Sequence, residues 1–226
     1  ILFKKLSGET FQAYPGTSRG TPGSLETAFE AGTTNTNIIY GGDATATSDI
    51  DESDTMTLEM LDDAKTCAEV GVIGSSTIYK IDPVMIKGNK FFCCVMHPYQ
   101  WNSLKKTTDW KELMYQAEVR GKQNPVFTGA TGYYNGIFIY IHDLVRTAST
   151  WGAGSDVAGA TALFLGASAG LYAKAQKNPD WVEQKFNYGK KLGVGTGYIM
   201  GFDKATFNSL DHAVIAIKTA AKNPRV

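Results

Sequence analysis

Groups able to act as nucleophiles or metal ligands are few in this chain, and their spacing limits them. The histidines are His97, His142 and His212, and the cysteines are Cys67, Cys93 and Cys94. A zinc or facial-triad iron site needs several such groups converging on one point. His142 and Asp143 are neighbours at the end of a predicted strand, where successive side chains face opposite ways. Cys93 and Cys94 stand in the same relation inside an apolar run, and His212 follows Asp211 with no near partner. Core or turn positions are therefore expected for the histidines, with no metal and no cofactor.

A Cys94/His97 pair has the residue types for nucleophilic catalysis, yet a thiol inside an apolar strand is hidden and hard to ionise. No Gly-x-Ser-x-Gly elbow occurs. Gly193-Val194-Gly195-Thr196-Gly197 lacks a following Gly-Lys-Ser/Thr and opens no apolar-periodic helix, so a strand entry is expected there in place of a phosphate cradle. Lys105-Lys106 and Lys190-Lys191 form no basic stripe interleaved with stacking residues. One catalytic alternative survives: a cytoplasmic hydrolase or transferase using His97, His142 and Asp143, which must then converge in a pocket. A third reading is a carbohydrate- or peptide-binding module, monomeric, with an exposed aromatic groove.

The elements that would position these groups alternate between strands and helices. Residues 7 to 50 are rich in Gly, Thr, Ser and Asn, with turns at Tyr14-Pro15-Gly16 and Thr21-Pro22-Gly23. A short strand is expected at Ile38-Ile39-Tyr40, ended by Gly41-Gly42. Leu58, Leu61, Ala64 and Ala68 recur at helical spacing, which predicts a helix from Leu58 to Val70, capped by Thr57 and stopped at Gly71. Strands are predicted over Ile78–Ile81 and Phe91–Met96, the latter covered on both faces because it has no polar position. Pro98 suits the first position of a helix through Trp101 and Leu104 to Lys106. A second helix is expected from Asp109, with Glu112 completing a capping box and Trp110, Leu113, Met114 and Ala117 facing inward, closed by Arg120-Gly121. Asn135-Gly136 between β-formers signals a hairpin. Beyond it the pattern predicts a strand at Leu163-Phe164-Leu165, a small-residue helix from Ala167 to Lys177, and strands around 182–186, 197–200 and 214–218. The class is α+β.

Composition narrows the function classes. The 226 residues are 43% hydrophobic and 19% charged, which is ordinary for a globular domain. Lys plus Arg and Asp plus Glu are both 22, so no bulk positive charge is present for binding nucleic acid. Zero net charge also removes the self-repulsion that keeps monomers apart. The charges are unevenly laid out: residues 43 to 69 hold nine acids against Lys65, while residues 170 to 226 hold nine bases against four acids. Solvated faces account for such a layout, and so do opposite patches meeting across copies of the chain. An odd number of cysteines, two of them adjacent, excludes a disulfide framework and argues for a reducing compartment. The longest uncharged stretch of the second half, Val157 to Ala173, is 17 residues long and full of Gly, Ala, Ser and Thr, too short and too polar for a spanning helix. The first residue is Ile1, with no initiator Met and no signal pattern, so further residues are expected ahead of it.

Read as a unit, the middle of the chain carries a family likeness. His97-Pro98-Tyr99-Gln100, Leu104-Lys105, Trp110, Ala117-x-x-Arg120-Gly121 and Asn124-Pro125-x-Phe127-Thr128-Gly129-Ala130-x-Gly132-x-Tyr134-Asn135-Gly136 follow in order. So do Thr57-Leu58 through Ala64-Lys65 and Ala68 before them. After them come Leu163-Phe164-Leu165-Gly166-Ala167-x-Ala169, Tyr188-Gly189 and Gly201-x-x-Lys204-x-x-Phe207. The series resembles the major capsid proteins of tailed phages, in the podovirus-type branch of the Hong Kong 97 fold, over most of residues 50 to 220.

The resemblance implies a structural subunit of an icosahedral shell around double-stranded DNA, self-assembling into hexamers and pentamers, and no enzyme. It implies the C-terminal portion of that fold, made of peripheral and axial domains. Residues 1–79 would supply peripheral strands, loops and helix, 80–160 the axial domain, and 161–226 strands and a helix returning to the core. The N-terminal arm, extended loop and most of the spine helix of known members are not evident in the sequence. Partners would be copies of the chain, with scaffolding, portal or decoration proteins, and neither a membrane nor sequence-specific nucleic acid. The location would be the virion, assembled in the host cytoplasm. Arg120, Lys122 and Asn124 on a polar turn are the expected subunit contact. Trp101, Trp110, Trp151 and Trp181 are candidates for core or contact alike.

Overall fold

Runs of apolar, β-forming residues such as Val214-Ile215-Ala216-Ile217 make this chain chiefly a sheet with helices laid on it. The computed structural model describes residues 37–86, 88–118, 132–174, 180–197, 200–207 and 210–225. Strand β1 (Ile38–Tyr40) is followed by helix α1 (Leu58–Val70) and a small hairpin, β2 (Val72–Ile73) with β3 (Ser76–Thr77). Next come β4 (Val84–Ile86), β5 (Asn89–Met96), α2 (Pro98–Lys106) and α3 (Thr108–Glu118). A run of strands completes the fold: β6 (Gly132–Tyr134), β7 (Ile137–Ile141), β8 (Thr147–Trp151), β9 (Val157–Leu165), β10 (Gly170–Lys174), β11 (Asp180–Phe186) and β12 (Lys191–Gly197). Last are β13 (Met200–Lys204), β14 (Thr206–Phe207), β15 (Leu210–Asp211) and β16 (Val214–Ala220).

One mixed sheet of eight strands holds the molecule together, in the order β1-β16-β9-β5-β7-β6, with β4 on β5 and β8 on β9. Next to the edge strand β1, β16 is buried along all its length, which its run Val214-Ile215-Ala216-Ile217 allows. It pairs in parallel with β1 and antiparallel with β9, from Val214 opposite Leu165 to Ala220 opposite Gly159. Strand β5 pairs antiparallel with β9 and parallel with β7. Phe92 and Phe164 meet in the core at 5.1 Å between ring centroids. Even the buried Lys218 is accommodated, its ammonium 5.8 Å from the centre of the Trp151 ring. Gly159 leaves room for that ring, since any side chain there would overlap it.

Helix α1 obeys its sequence pattern. Thr57, extended at φ −124°, accepts from the Met60 N–H, and Leu58, Leu61, Ala64 and Ala68 are buried. Gly71, in the left-handed region at φ 85°, ends it. Helix α2 starts at Pro98 as the sequence predicts. The Asn135-Gly136 hairpin forms between β6 and β7, with φ 43° and 80° at its two turn residues. Gly193 to Gly197 lie in a strand, β12.

Several expectations are corrected. Ile78–Ile81 is no strand: the Ile78 and Ile81 N–H groups donate to Gly71 and Ala68 carbonyls, so this stretch closes the end of α1 instead of joining a ladder. The hairpin partner of β5 is Val84–Ile86. The region expected as a helix from Ala167 contains β10, drawn into extended form by pairing with β13 some thirty residues on. Helix α3 begins at Thr108, because the Lys111 N–H donates to the Thr107 carbonyl, so Asp109 lies in its first turn and is not its cap. Leu113 is 40% exposed, whereas Trp110 is buried. Strand β5 is fully covered only over Cys94 to Met96, and β9 extends further toward the N-terminus than the predicted 163–165.

Candidate assembly surfaces

The loop from β5 into α2 sets the position of His97. Its Nδ1 accepts from the Tyr99 N–H at 3.2 Å and its own N–H donates to Gln100 Oε1 at 3.2 Å, a reciprocal cap of α2. Burial pulls the His97 pKa below the usual histidine range, and the Asp143 carboxylate opposes this in part. Gln100 is wholly buried and ties the helix to the sheet, its Nε2 donating to the Ala160 carbonyl at 2.9 Å and Thr219 Oγ1 at 2.8 Å.

His142 and Asp143 do not point apart as the strand pattern predicts. Strand β7 ends at Ile141, and in the turn after it His142 Nδ1 lies 3.2 Å from Asp143 Oδ1. The same nitrogen accepts from the Leu144 N–H at 3.1 Å. Each of these two imidazoles thus uses Nδ1 to terminate a backbone segment. His97, His142 and Asp143 are neighbours, but none of them lines either of the clefts described below. Among the described residues no group of three His, Cys, Asp or Glu side chains is placed to hold a metal ion.

Cysteine chemistry is suppressed by burial. It pushes the Cys93 thiol up to about 11 and the fully buried Cys94 thiol further still, with Cys93 adding to the shift at Cys94. No helix among the described residues is long and apolar enough to cross a membrane.

Among the described residues the surface includes two open clefts and, outside the main sheet, exposed two-stranded ribbons. One cleft lies where α1 and α3 come together beside β6, and it is acidic, with Glu59, Asp62, Asp109 and Glu112 on its walls. Asp62 is fixed there by the Tyr134 hydroxyl, donating at 2.6 Å, and by Asn135 Nδ2 at 2.8 Å. Desolvation, reinforced by that bond to Asp62, raises the Tyr134 pKa to about 12. Lys65 anchors the same turn through the Asn135 carbonyl at 2.8 Å. The second cleft is polar, between Glu52, Asn102, Lys106 and Lys222.

Outside the main sheet, β10 pairs with β13, and β11 pairs with β12 as a seven-rung antiparallel ribbon. Trp181, Val182, Phe186, Leu192 and Val194 of that second ribbon are exposed. Of the four tryptophans, Trp110 and Trp151 are core, Trp101 packs edge-on against Trp110 at 5.0 Å, and Trp181 is 64% exposed. Sequence reasoning named Trp181 but missed its neighbours, whose alternation with Glu183, Gln184, Lys185 and three glycines is the signal of a ribbon with no buried face. Arg120, Lys122 and Asn124 lie outside the described residues.

Comparison with known proteins gives this architecture a family. A profile described as phage capsid protein matches residues 12–223. The major capsid protein of Pseudomonas phage KPP25 is 29% identical over 195 residues, covering 78% of this chain and 48% of that protein. The capsid of Ralstonia phage GP4 superposes with a TM-score of 0.71 at 31% identity, over 98% of this chain and 62% of the other. The capsid of cyanophage Pam1, at 20% identity, shares the fold with a TM-score of 0.67 over 82% of this chain and 54% of the other. The chain thus spans about half the length of the curated relative it matches. With sheet, helices and sequence all aligned to coat proteins over nearly their whole extent here, the chain belongs to the phage capsid protein family.

Proposed function

We propose that this chain is the folded body of a coat subunit, a structural and non-enzymatic part of an icosahedral phage shell around packaged double-stranded DNA. The observation that carries the reading is the family match over residues 12–223, paralleled by the GP4 capsid superposition over 98% of the chain. The physical features agree with it. The imidazoles of His97 and His142 accept backbone N–H groups, while exposed apolar side chains stand on ribbons available to neighbours. The fold fits the podovirus-type branch of the Hong Kong 97 architecture, with residues 80–160 feeding its axial domain and 1–79 its peripheral one. The return of β16 into a sheet begun by earlier strands supports assigning 161–226 to a segment that comes back to the core.

Subunits of this kind close into hexamers and pentamers, with scaffolding, portal or decoration proteins as further partners, in the host cytoplasm and then in the virion. The segment bearing Arg120, Lys122 and Asn124 meets a neighbouring copy. Its test is Arg120→Glu, which lowers particle yield; unchanged assembly would remove the segment from the contact. The reading as a whole is tested by expressing the complete gene product and examining it by negative-stain microscopy and sedimentation. Megadalton shells are expected, and a compact monomer with hydrolase or transferase turnover would overturn the proposal.

A further inference from the structure

A two-stranded ribbon is at best marginally stable alone in water, so one that exposes apolar groups on both faces needs a cover. Ribbon β11–β12 is such an element. Its register places Trp181, Leu192 and Val194 on one face and Val182 and Phe186 on the other, and Trp181, Val182 and Leu192 are each more than 60% exposed. Strands of seven residues reach about 23 Å, long enough to cross onto a neighbour. Its outer edges are unpaired among the described residues.

Charge says what the cover is. Near the ribbon's tip stand Lys185, Lys190 and Lys191, which pair with no carboxylate among the described residues. The nearby Glu183 is occupied, its Oε1 accepting from Trp181 Nε1 at 2.8 Å. The complementary surface is on the same chain: the cleft between α1 and α3, with Glu59, Asp109 and Glu112 exposed beside Leu58, Leu113 and Tyr134. Within one subunit the two surfaces remain open to solvent, so neither satisfies the other. A chain with equal numbers of acids and bases, segregated in this way, is matched by another copy of itself. Nucleic acid would match the lysines but not the tryptophan, valines and leucine between them.

We propose that the β11–β12 ribbon is an inter-subunit clasp whose lysine-bearing tip seats in the acidic α1–α3 cleft of a second copy. This rests on the shell-subunit reading above. The test uses the complete gene product in an assembly assay at about 0.1 M salt, where exposed charges are only partly screened. Combined Lys185→Glu, Lys190→Glu and Lys191→Glu lowers particle yield at least tenfold, and Glu59→Lys with Glu112→Lys does the same. Joining both sets restores at least half of the yield. Wild-type yield from the ribbon variant overturns the clasp, and so does a combined variant that fails to recover.

A measurement independent of variant folding is carbodiimide coupling of wild-type particles. Amide links from these lysines to Glu59 or Glu112 of another subunit are expected in particles and absent from free subunits. Links only to a different protein, or protection of the lysines by nucleic acid alone, overturn the assignment. If the wild-type product makes no particle, it is the shell reading that fails; particles lacking the link leave that reading intact and remove the clasp.

Discussion

Replacing Gln100 by leucine tests whether the helix-to-sheet joint is held by hydrogen bonding or by packing alone. The wild-type side chain makes three hydrogen bonds, to the Ala160 carbonyl, Thr219 Oγ1 and the His97 N–H, and has no exposed surface. Leucine fits the volume but leaves these three groups facing an apolar chain. Each net hydrogen bond contributes about 1 kcal/mol, and stranding a buried polar partner costs roughly 1–3 kcal/mol, so a loss of about 3–5 kcal/mol is expected for Gln100→Leu. For a chain of this size that corresponds to a fall of about 6–20 °C in Tm. The assay is paired urea and thermal unfolding of wild type, Gln100→Leu, Thr219→Val and the double variant. Removing both ends of a bond strands fewer groups, so the double variant should be less destabilised than the sum by about 1–2 kcal/mol. A Gln100→Leu protein within about 0.5 kcal/mol of wild type, with additive singles, would refute the reasoning and leave packing as the joint.

Three further outcomes follow from the described contacts. Gly159→Val forces Trp151 out of its place against β9, with an overpacking cost of about 1–3 kcal/mol and a red shift of tryptophan emission; an unshifted spectrum and unchanged Tm would contradict the close approach. His97 titrates below its ordinary range, chiefly through burial, so its contribution is complete above the unfolded value of about 6.5 and is lost as pH falls through the lower folded value. His97→Asn retains an N-cap acceptor and should flatten that part of the stability profile between pH 7.5 and 5.5, whereas an identical slope would remove His97 as its source. Thiol labelling of the native chain at neutral pH should proceed at Cys67 first, then Cys93, with Cys94 protected until unfolding; equal rates at Cys67 and Cys94 would contradict the burial order.

Local signals were legible where local contacts decide the outcome. Thr57, the periodic Leu58, Leu61, Ala64 and Ala68, and Gly71 act within one helix, and Asn135-Gly136 acts within one turn, so their structures follow from neighbouring residues. The region from Ala167 behaves otherwise. Its alanines favour a helix in isolation, yet Gly170–Lys174 takes its form from β13, which no local pattern announces. Ile78 and Ile81 look like strand residues because they are buried and β-branched, but their N–H groups are consumed by the end of α1. The roles of His97 and His142 at turns could be read from their flanking residues, while the acidic cleft could not. It arises because Glu59 and Asp62 on one helix come to face Asp109 and Glu112 on another, from distant parts of the chain. Family likeness was carried by the order of many weak motifs, each of which alone says little.

The position of β16 has a consequence for biosynthesis. The strand that joins β1 to β9 comes some 180 residues after β1, with Ala216 opposite Ile38. A nascent polypeptide leaving the ribosome can form α1 and the β6–β7 turn early, but the sheet stays split until residues near 220 have emerged. Contacts separated so far along the chain make closure slow. Translation itself therefore delays the moment at which this sheet closes, and premature aggregation on the polysome is the hazard that such an order of events creates.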